Sequence, residues 1–147
     1  MTAGRLAAVT GGLRAPGVYR WPSRAHAAAV RRDLARAGWA CCTLDGRPVR
    51  DKATLLDACR TALSFPGWFG GNWDALHDCL IDLSWLPGDG VVVLWESAAG
   101  LAGNDPDTWR TAMDVFASAA TERERIGAPP LFVLVRGTRP GVDLTLL

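Results

Sequence analysis

Residues Phe65–Trp85 have the sequence FPGWFGGNWDALHDCLIDLSW, the most informative stretch of the chain. Asp74, Asp78 and Asp82 recur at every fourth position, so a helix here would carry all three carboxylates on one face. The opposite face of that helix is apolar, which is typical of a helix packed on a core. Because like charges at this spacing repel one another, the pattern favours an acidic surface that meets a positively charged partner.

The chain around this helix supports an interface more than a solvated surface. No Lys or Arg occurs between Phe65 and Glu96, so the carboxylates have no cation near them in sequence. Trp68 and Phe69 precede the helix in a loop, and aromatic residues beside charges are typical anchors of protein interfaces. An acidic face that meets only water is the ordinary alternative, and aromatic packing over the helix start is the structural explanation of the loop.

The segment WFGGNWDALHDCL, residues 68–80, is similar to the signature of the barstar family of ribonuclease inhibitors. The resemblance extends from Trp39 to Arg136 and is densest over residues 65–80. It implies an α/β fold with a barstar-like three-layer arrangement, in which helices flank a small parallel sheet. It also implies an intracellular protein that occludes the active site of a basic, guanyl-preferring, extracellular-type ribonuclease as a heterodimer, without cofactor, metal or turnover.

The resemblance further implies which residues would meet the ribonuclease. Asp78 matches the central carboxylate that enters the catalytic site, and Asp74 matches a carboxylate that pairs with an arginine at the rim. Trp68 lies where the family has a tyrosine that stacks on the catalytic histidine. The other positions of the implied surface are Phe69, Asn72, His77, Ile81, Asp82 and Glu122.

Besides Trp68, four positions depart from the family pattern. His77 and Leu83 stand where the best-known member has tryptophan, Ser118 replaces a glutamate that contacts the enzyme, and Phe69 lacks a tyrosine hydroxyl. The central carboxylates are kept while the periphery differs. We therefore expect the inhibitory mode to be kept and the target to be a relative of barnase rather than barnase itself.

Outside the acidic helix, strand and helix patterns alternate, which predicts an α/β fold with a mainly parallel sheet. Continuous apolar runs predict buried strands at 39–44, 91–95 and 131–135, and a shorter strand at 17–21. Capping residues predict helices that follow positions Ser23, Asp51, Asn72 and Asp105.

These elements predict a single domain over residues 1–147. Within it, residues 1–38 form an N-terminal strand-helix extension that ends at Gly38, residues 39–136 form the barstar-like core, and residues 137–147 form a tail whose conformation the sequence leaves open.

The net charge of +1 conceals two opposed regions. Residues 1–38 contain seven Arg and one Asp, whereas residues 65–96 contain five acids and no base. This asymmetry favours a charged partner. A nucleic-acid-binding domain is an alternative that rests on the arginines of the N-terminal helix: Arg24, Arg31, Arg32 and Arg36. A solvated face explains them more simply, and the acidic helix would repel phosphates.

The cysteines show neither disulfide nor zinc spacing: Cys41, Cys42, Cys59 and Cys79. Adjacent cysteines on a strand point to opposite faces, and His26 and His77 complete no zinc pattern. Four reduced thiols, no secretory signal and no apolar run of spanning length predict a cytoplasmic protein without membrane contact.

An enzymatic role has little support in the sequence. Asp74 and His77 could touch, but no nucleophile or orienting group accompanies them. Three aspartates in line on one helix face cannot surround a Mg²⁺ ion, and Gly70-Gly71 lacks the Lys-Ser/Thr of a phosphate-binding loop. The sequence predicts a non-enzymatic inhibitor, with a barstar-like module for another basic protein as a further alternative.

Overall fold

Four parallel strands form one sheet. A computed structural model describes the backbone of residues 2–147 and the side chains of residues 4–147. The strands are β1 (Gly17–Arg20), β2 (Ala40–Asp45), β3 (Val91–Glu96) and β4 (Leu131–Val135), in the spatial order β1-β4-β3-β2. Every neighbouring pair is parallel, so each connection crosses over a face of the sheet. This confirms the predicted α/β fold with a parallel sheet.

Six helices are present in residues 2–147, and they cover both faces of the sheet. They are α1 (Thr2–Thr10), α2 (Ala27–Arg36), α3 (Lys52–Ala62), α4 (Trp73–Asp82), α5 (Ala99–Asn104) and α6 (Pro106–Arg125). The sequence patterns predicted neither α1 nor α5, since both are short and α5 contains two glycines, which weaken the helix signal. In this part of the chain no helix has the length and apolar character needed to cross a membrane.

The sheet separates two hydrophobic cores, and its central strands contribute side chains to both. Val91, Val93 and Trp95 of β3 point into the cluster formed with α3 to α6, whereas Val92 and Leu94 point into a second cluster on the opposite face. This alternation follows from the two-residue period of a strand. Because both faces are buried, β3 is apolar throughout, as its sequence predicted.

The N-terminal extension forms the layer over the second face. Val30 and Leu34 of α2 are fully buried there, and Leu6 and Val9 bring α1 into the same cluster. The extension therefore adds one strand and two helices, one helix more than predicted. The C-terminal tail packs at the outer edge of β1, where the Leu147 amide donates to the Arg20 carbonyl at 3.0 Å.

Three of the four predicted helix caps are present. The side chains of Asp51, Asn72 and Asp105 each accept a hydrogen bond from the first turn of the following helix. The predicted Ser23 cap is wrong, because α2 begins after His26. Arg136 accounts for the later start of α2, because its guanidinium donates to the carbonyls of residues 23 and 25 and holds that segment outside the helix.

The four cysteines are free thiols in this structure, of which Cys42, Cys59 and Cys79 are buried and Cys41 is half-buried. Burial raises the pKa of the Cys41 thiol to about 11 and that of Cys59 to about 12. Thiolates are the reactive form, so we expect slow labelling of the folded protein at pH 8, first at the half-buried Cys41. Titration of the unfolded protein without reductant should count four thiols. A count of two or zero would contradict the reduced state.

Candidate functional site

Helix α4 presents the acidic face that its sequence predicted. The side chain of Asn72 accepts a hydrogen bond from the Ala75 amide at 2.8 Å and so begins the helix. Gly71 adopts a positive φ of 68° just before this cap, a conformation that favours glycine. The buried positions Leu76, Cys79, Leu80 and Leu83 attach α4 to the core, whereas Asp74, Asp78 and Asp82 are exposed.

The carboxylates are close enough to influence the core beneath them. Burial raises the pKa of the Cys79 thiol, and the negative charges of Asp78 and Asp82 raise it further. The acidic face is thus a row of exposed carboxylates on a helix that is held against the core.

A buried arginine joins the end of α4 to α6. Arg123 is only 1% exposed. Its Nη1 lies within 2.8–3.3 Å of the backbone oxygens of Leu80, Ile81 and Asp82, and its Nε donates to the Pro129 carbonyl at 3.0 Å. Burial lowers the pKa of the guanidinium, and the Asp82 carboxylate acts in the opposite direction.

Sequence reasoning missed Arg123, although a signal was present. The buried stripe of α6 runs through Trp109, Ala112, Met113, Phe116, Ala119 and Ala120. Continued by three residues, this stripe reaches Arg123. An arginine at a core position of a helix must find buried acceptors, and here these acceptors are main-chain oxygens.

The aromatic loop before α4 has one outward-facing member. Phe69 packs on Phe65 with ring centroids 4.9 Å apart, and Trp85 donates from its indole to the Leu63 carbonyl at 2.8 Å. Trp68 stands edge-on to Trp85 at 6.4 Å and is 59% exposed. The loop therefore holds Trp68 against a packed aromatic cluster, and Phe69 belongs to that cluster together with Phe65 and Trp85.

The acidic face continues onto α6. His77 Nε2 lies 3.1 Å from the Ser118 hydroxyl, so two of the positions that depart from the family pattern contact each other. One turn further along α6, Glu122 accepts a hydrogen bond from Arg125 Nε at 2.9 Å. Arg125 holds the pKa of the Glu122 carboxyl below its usual range, and nearby His77 acts in the same direction.

The predicted residues lie on three segments, of which α4 and α6 contact each other directly. The loop supplies Trp68, Phe69 and Asn72, helix α4 supplies Asp74, His77, Asp78, Ile81 and Asp82, and helix α6 supplies Glu122. Ile81 is half-buried and packs against the core rather than standing free. Among the described residues, no three His, Cys, Asp or Glu side chains are grouped as a metal site would require.

Comparison with known families matches the part of the chain that contains this surface. The family model described as barstar, the barnase inhibitor, matches residues 39–135, about two thirds of the chain. The chain belongs to the barstar family. The matched region begins just before β2 and ends with β4, so this barstar-family protein carries α1, β1 and α2 outside the matched region.

A structural comparison supports the fold and nothing further. The ORC2 protein of Aeropyrum pernix, solved in ADPNP-ADP complexes, superposes with a TM-score of 0.62 at 13% sequence identity. The superposition covers 92% of this barstar-family chain and 40% of that protein, so the chain spans less than half of the larger one. No curated protein sequence matches the chain.

Proposed function

We propose that this barstar-family protein binds a basic, guanyl-preferring ribonuclease and occludes its active site. The observation that carries the proposal is the row of exposed carboxylates on α4, a helix fixed to the core by Leu76 and Leu80. Ribonucleases hold phosphate with cationic side chains. A carboxylate that is held in place can occupy the phosphate position through charge-assisted and bidentate hydrogen bonds.

The three carboxylates have different proposed roles. Asp78, in the middle of α4, enters the catalytic site, and Asp74 pairs with an arginine nearer the rim. Asp82, at the last turn, adds to the negative field that steers the encounter. This assignment follows the family resemblance for Asp78 and Asp74, and the exposure of all three supports it.

The aromatic loop and α6 form the flanks of the proposed interface. Trp68 offers an exposed ring that can stack on a flat group of the enzyme, with Phe69 and Asn72 supporting the loop. On the other flank, His77 and Ser118 replace larger family residues, and Glu122 is already paired with Arg125. These flanking positions are where the specificity of this chain differs from that of barstar.

The inhibitor acts by occlusion in a heterodimer, without cofactor or turnover, and its proposed location is the cytoplasm of the cell that makes the ribonuclease. Of the basic residues that supported a nucleic-acid alternative, Arg31 donates to the Thr43 hydroxyl at 3.0 Å and Arg36 lies 3.7 Å from the Asp33 carboxylate. The two alternatives to the proposal are a module for another basic protein and a nucleic-acid-binding domain that uses these arginines.

The proposal is tested with a panel of purified guanyl-preferring ribonucleases that includes barnase. We expect at least one member to be inhibited in a one-to-one ratio at nanomolar concentrations, and inhibition to weaken as salt rises because charges steer the association. An unrelated basic protein of similar charge, such as a histone, is the control for nonspecific attraction. Equal binding to the control, or no inhibition of any member, would contradict the proposed function.

A further inference from the structure

We propose that Arg123 is a positioning residue of the inhibitory surface: from its buried place in α6 it holds the C-terminal turn of α4, and hence the carboxylate row, in the geometry that a partner meets. The inference rests on the proposed function for its consequence in binding. The Arg123 guanidinium contacts four main-chain oxygens, three of them at the end of α4, and we call this arrangement the clamp.

The end of α4 needs such a cation. The last carbonyls of a helix carry partial negative charge, which a basic residue in the final turn usually offsets. Helix α4 has no basic residue in its final turn and has Asp82 there instead. The partial negative charge of the last carbonyls and the carboxylate of Asp82 therefore lie together at the end of the helix. Arg123 supplies a positive charge there from the core side, where the low dielectric strengthens the interaction.

The backbone at this point is also strained. Leu83 adopts a left-handed conformation with φ of 46°, which is unfavourable for a residue with a Cβ. Strain of this kind persists only where surrounding contacts determine the geometry. Arg123 contacts the three carbonyls that immediately precede Leu83, so it is placed to maintain this helix end.

The clamp links the acidic face to the rest of the molecule. Arg123 lies one position after Glu122, and through Pro129 it reaches the segment that leads into β4. Arg123 therefore adds a polar connection between α4 and α6 to the apolar contacts that the two helices share in the core. Rigid placement lowers the entropy cost of binding, so its loss should appear mainly in the dissociation rate of the complex.

The test compares Arg123→Met and Arg123→Lys with Arg110→Met, a matched control that removes one exposed arginine charge from the same helix. The partner is the panel ribonuclease that the parent chain inhibits most strongly. At a temperature at which the variants are folded by circular dichroism, we expect Arg123→Met to dissociate at least about tenfold faster than parent. Arg123→Lys should recover part of the loss, and Arg110→Met should stay within about twofold.

Amide hydrogen exchange separates positioning from general destabilisation. In the free Arg123→Met variant, amides of α4 should exchange faster while those of α3 keep the parent rate, because only α4 loses its clamp. Equal acceleration in α3 and α4, dissociation like that of Arg110→Met, or failure of both Arg123 variants to fold would overturn the inference. If the parent inhibits no ribonuclease, the proposed function fails, whereas exchange in the free protein still decides whether Arg123 holds α4.

Discussion

Asp78→Ala is expected to cause the largest loss of inhibition among the three aspartates of α4. In the proposed complex this carboxylate is desolvated among several cationic donors, so its removal leaves those donors buried and unpaired. The expected cost is about 2–5 kcal/mol, a scale taken from charged groups at tight interfaces, of which barnase–barstar is the measured example. This cost corresponds to a rise of about 30-fold to several thousandfold in the inhibition constant.

The matched variants are Asp74→Ala and Asp82→Ala. Asp74 is assigned to the rim and should cost less than Asp78, and Asp82 should slow association at low salt with little effect at high salt. Inhibition constants at two salt concentrations, with stability measured separately, distinguish the three. Because all three side chains are exposed, the substitutions should leave the fold intact. Phosphate mimicry by Asp78 would be wrong if Asp78→Ala inhibited like the parent, or if Asp82→Ala were the most damaging.

Deletion of residues 1–38 is expected to abolish cooperative folding. The deletion would uncover one face of the sheet, where Val92, Leu94, Phe132 and Leu134 are at most 1% exposed. Burial of each such side chain contributes about 1.5–3 kcal/mol. The combined loss is comparable with the ~5–15 kcal/mol that stabilises a typical domain. Thermal unfolding followed by circular dichroism should show no cooperative transition, and the exposed face should promote aggregation.

The control keeps the same segment and changes only its charge. Reversal of the exposed Arg24 and Arg32 to Glu should leave folding intact and inhibition undiminished, because a basic segment would be repelled by the cationic mouth of a ribonuclease. A deletion variant that unfolds cooperatively near the parent temperature would show that the extension is not a required layer. A folded double-Glu variant with greatly weakened inhibition would instead place residues 1–38 in the interface.

Local chemistry made the order of the main elements predictable. The runs of β3 and β4 contain only apolar residues apart from the final Glu96, and Asp51, Asn72 and Asp105 act as caps through short-range hydrogen bonds that depend on neighbouring residues. Local chemistry also misled at Ser23. That serine precedes a helix pattern, but Arg136, more than a hundred residues later, donates hydrogen bonds to the carbonyls of residues 23 and 25 and keeps them out of the helix.

By itself, the sequence determined the parallel α/β plan and the acidic face of α4, because periodicity and capping act over a few residues. The family followed from the resemblance of residues 68–80 to its signature. Only the tertiary structure decided how that face is supported. Between Phe65 and Glu96 the chain has no base, yet packing brings Arg123 beneath the end of α4 and Lys52 to 5.6 Å from the Trp73 ring. Likewise, His77 meets Ser118 across 41 positions. Such contacts depend on how helices pack in three dimensions, which no local pattern specifies.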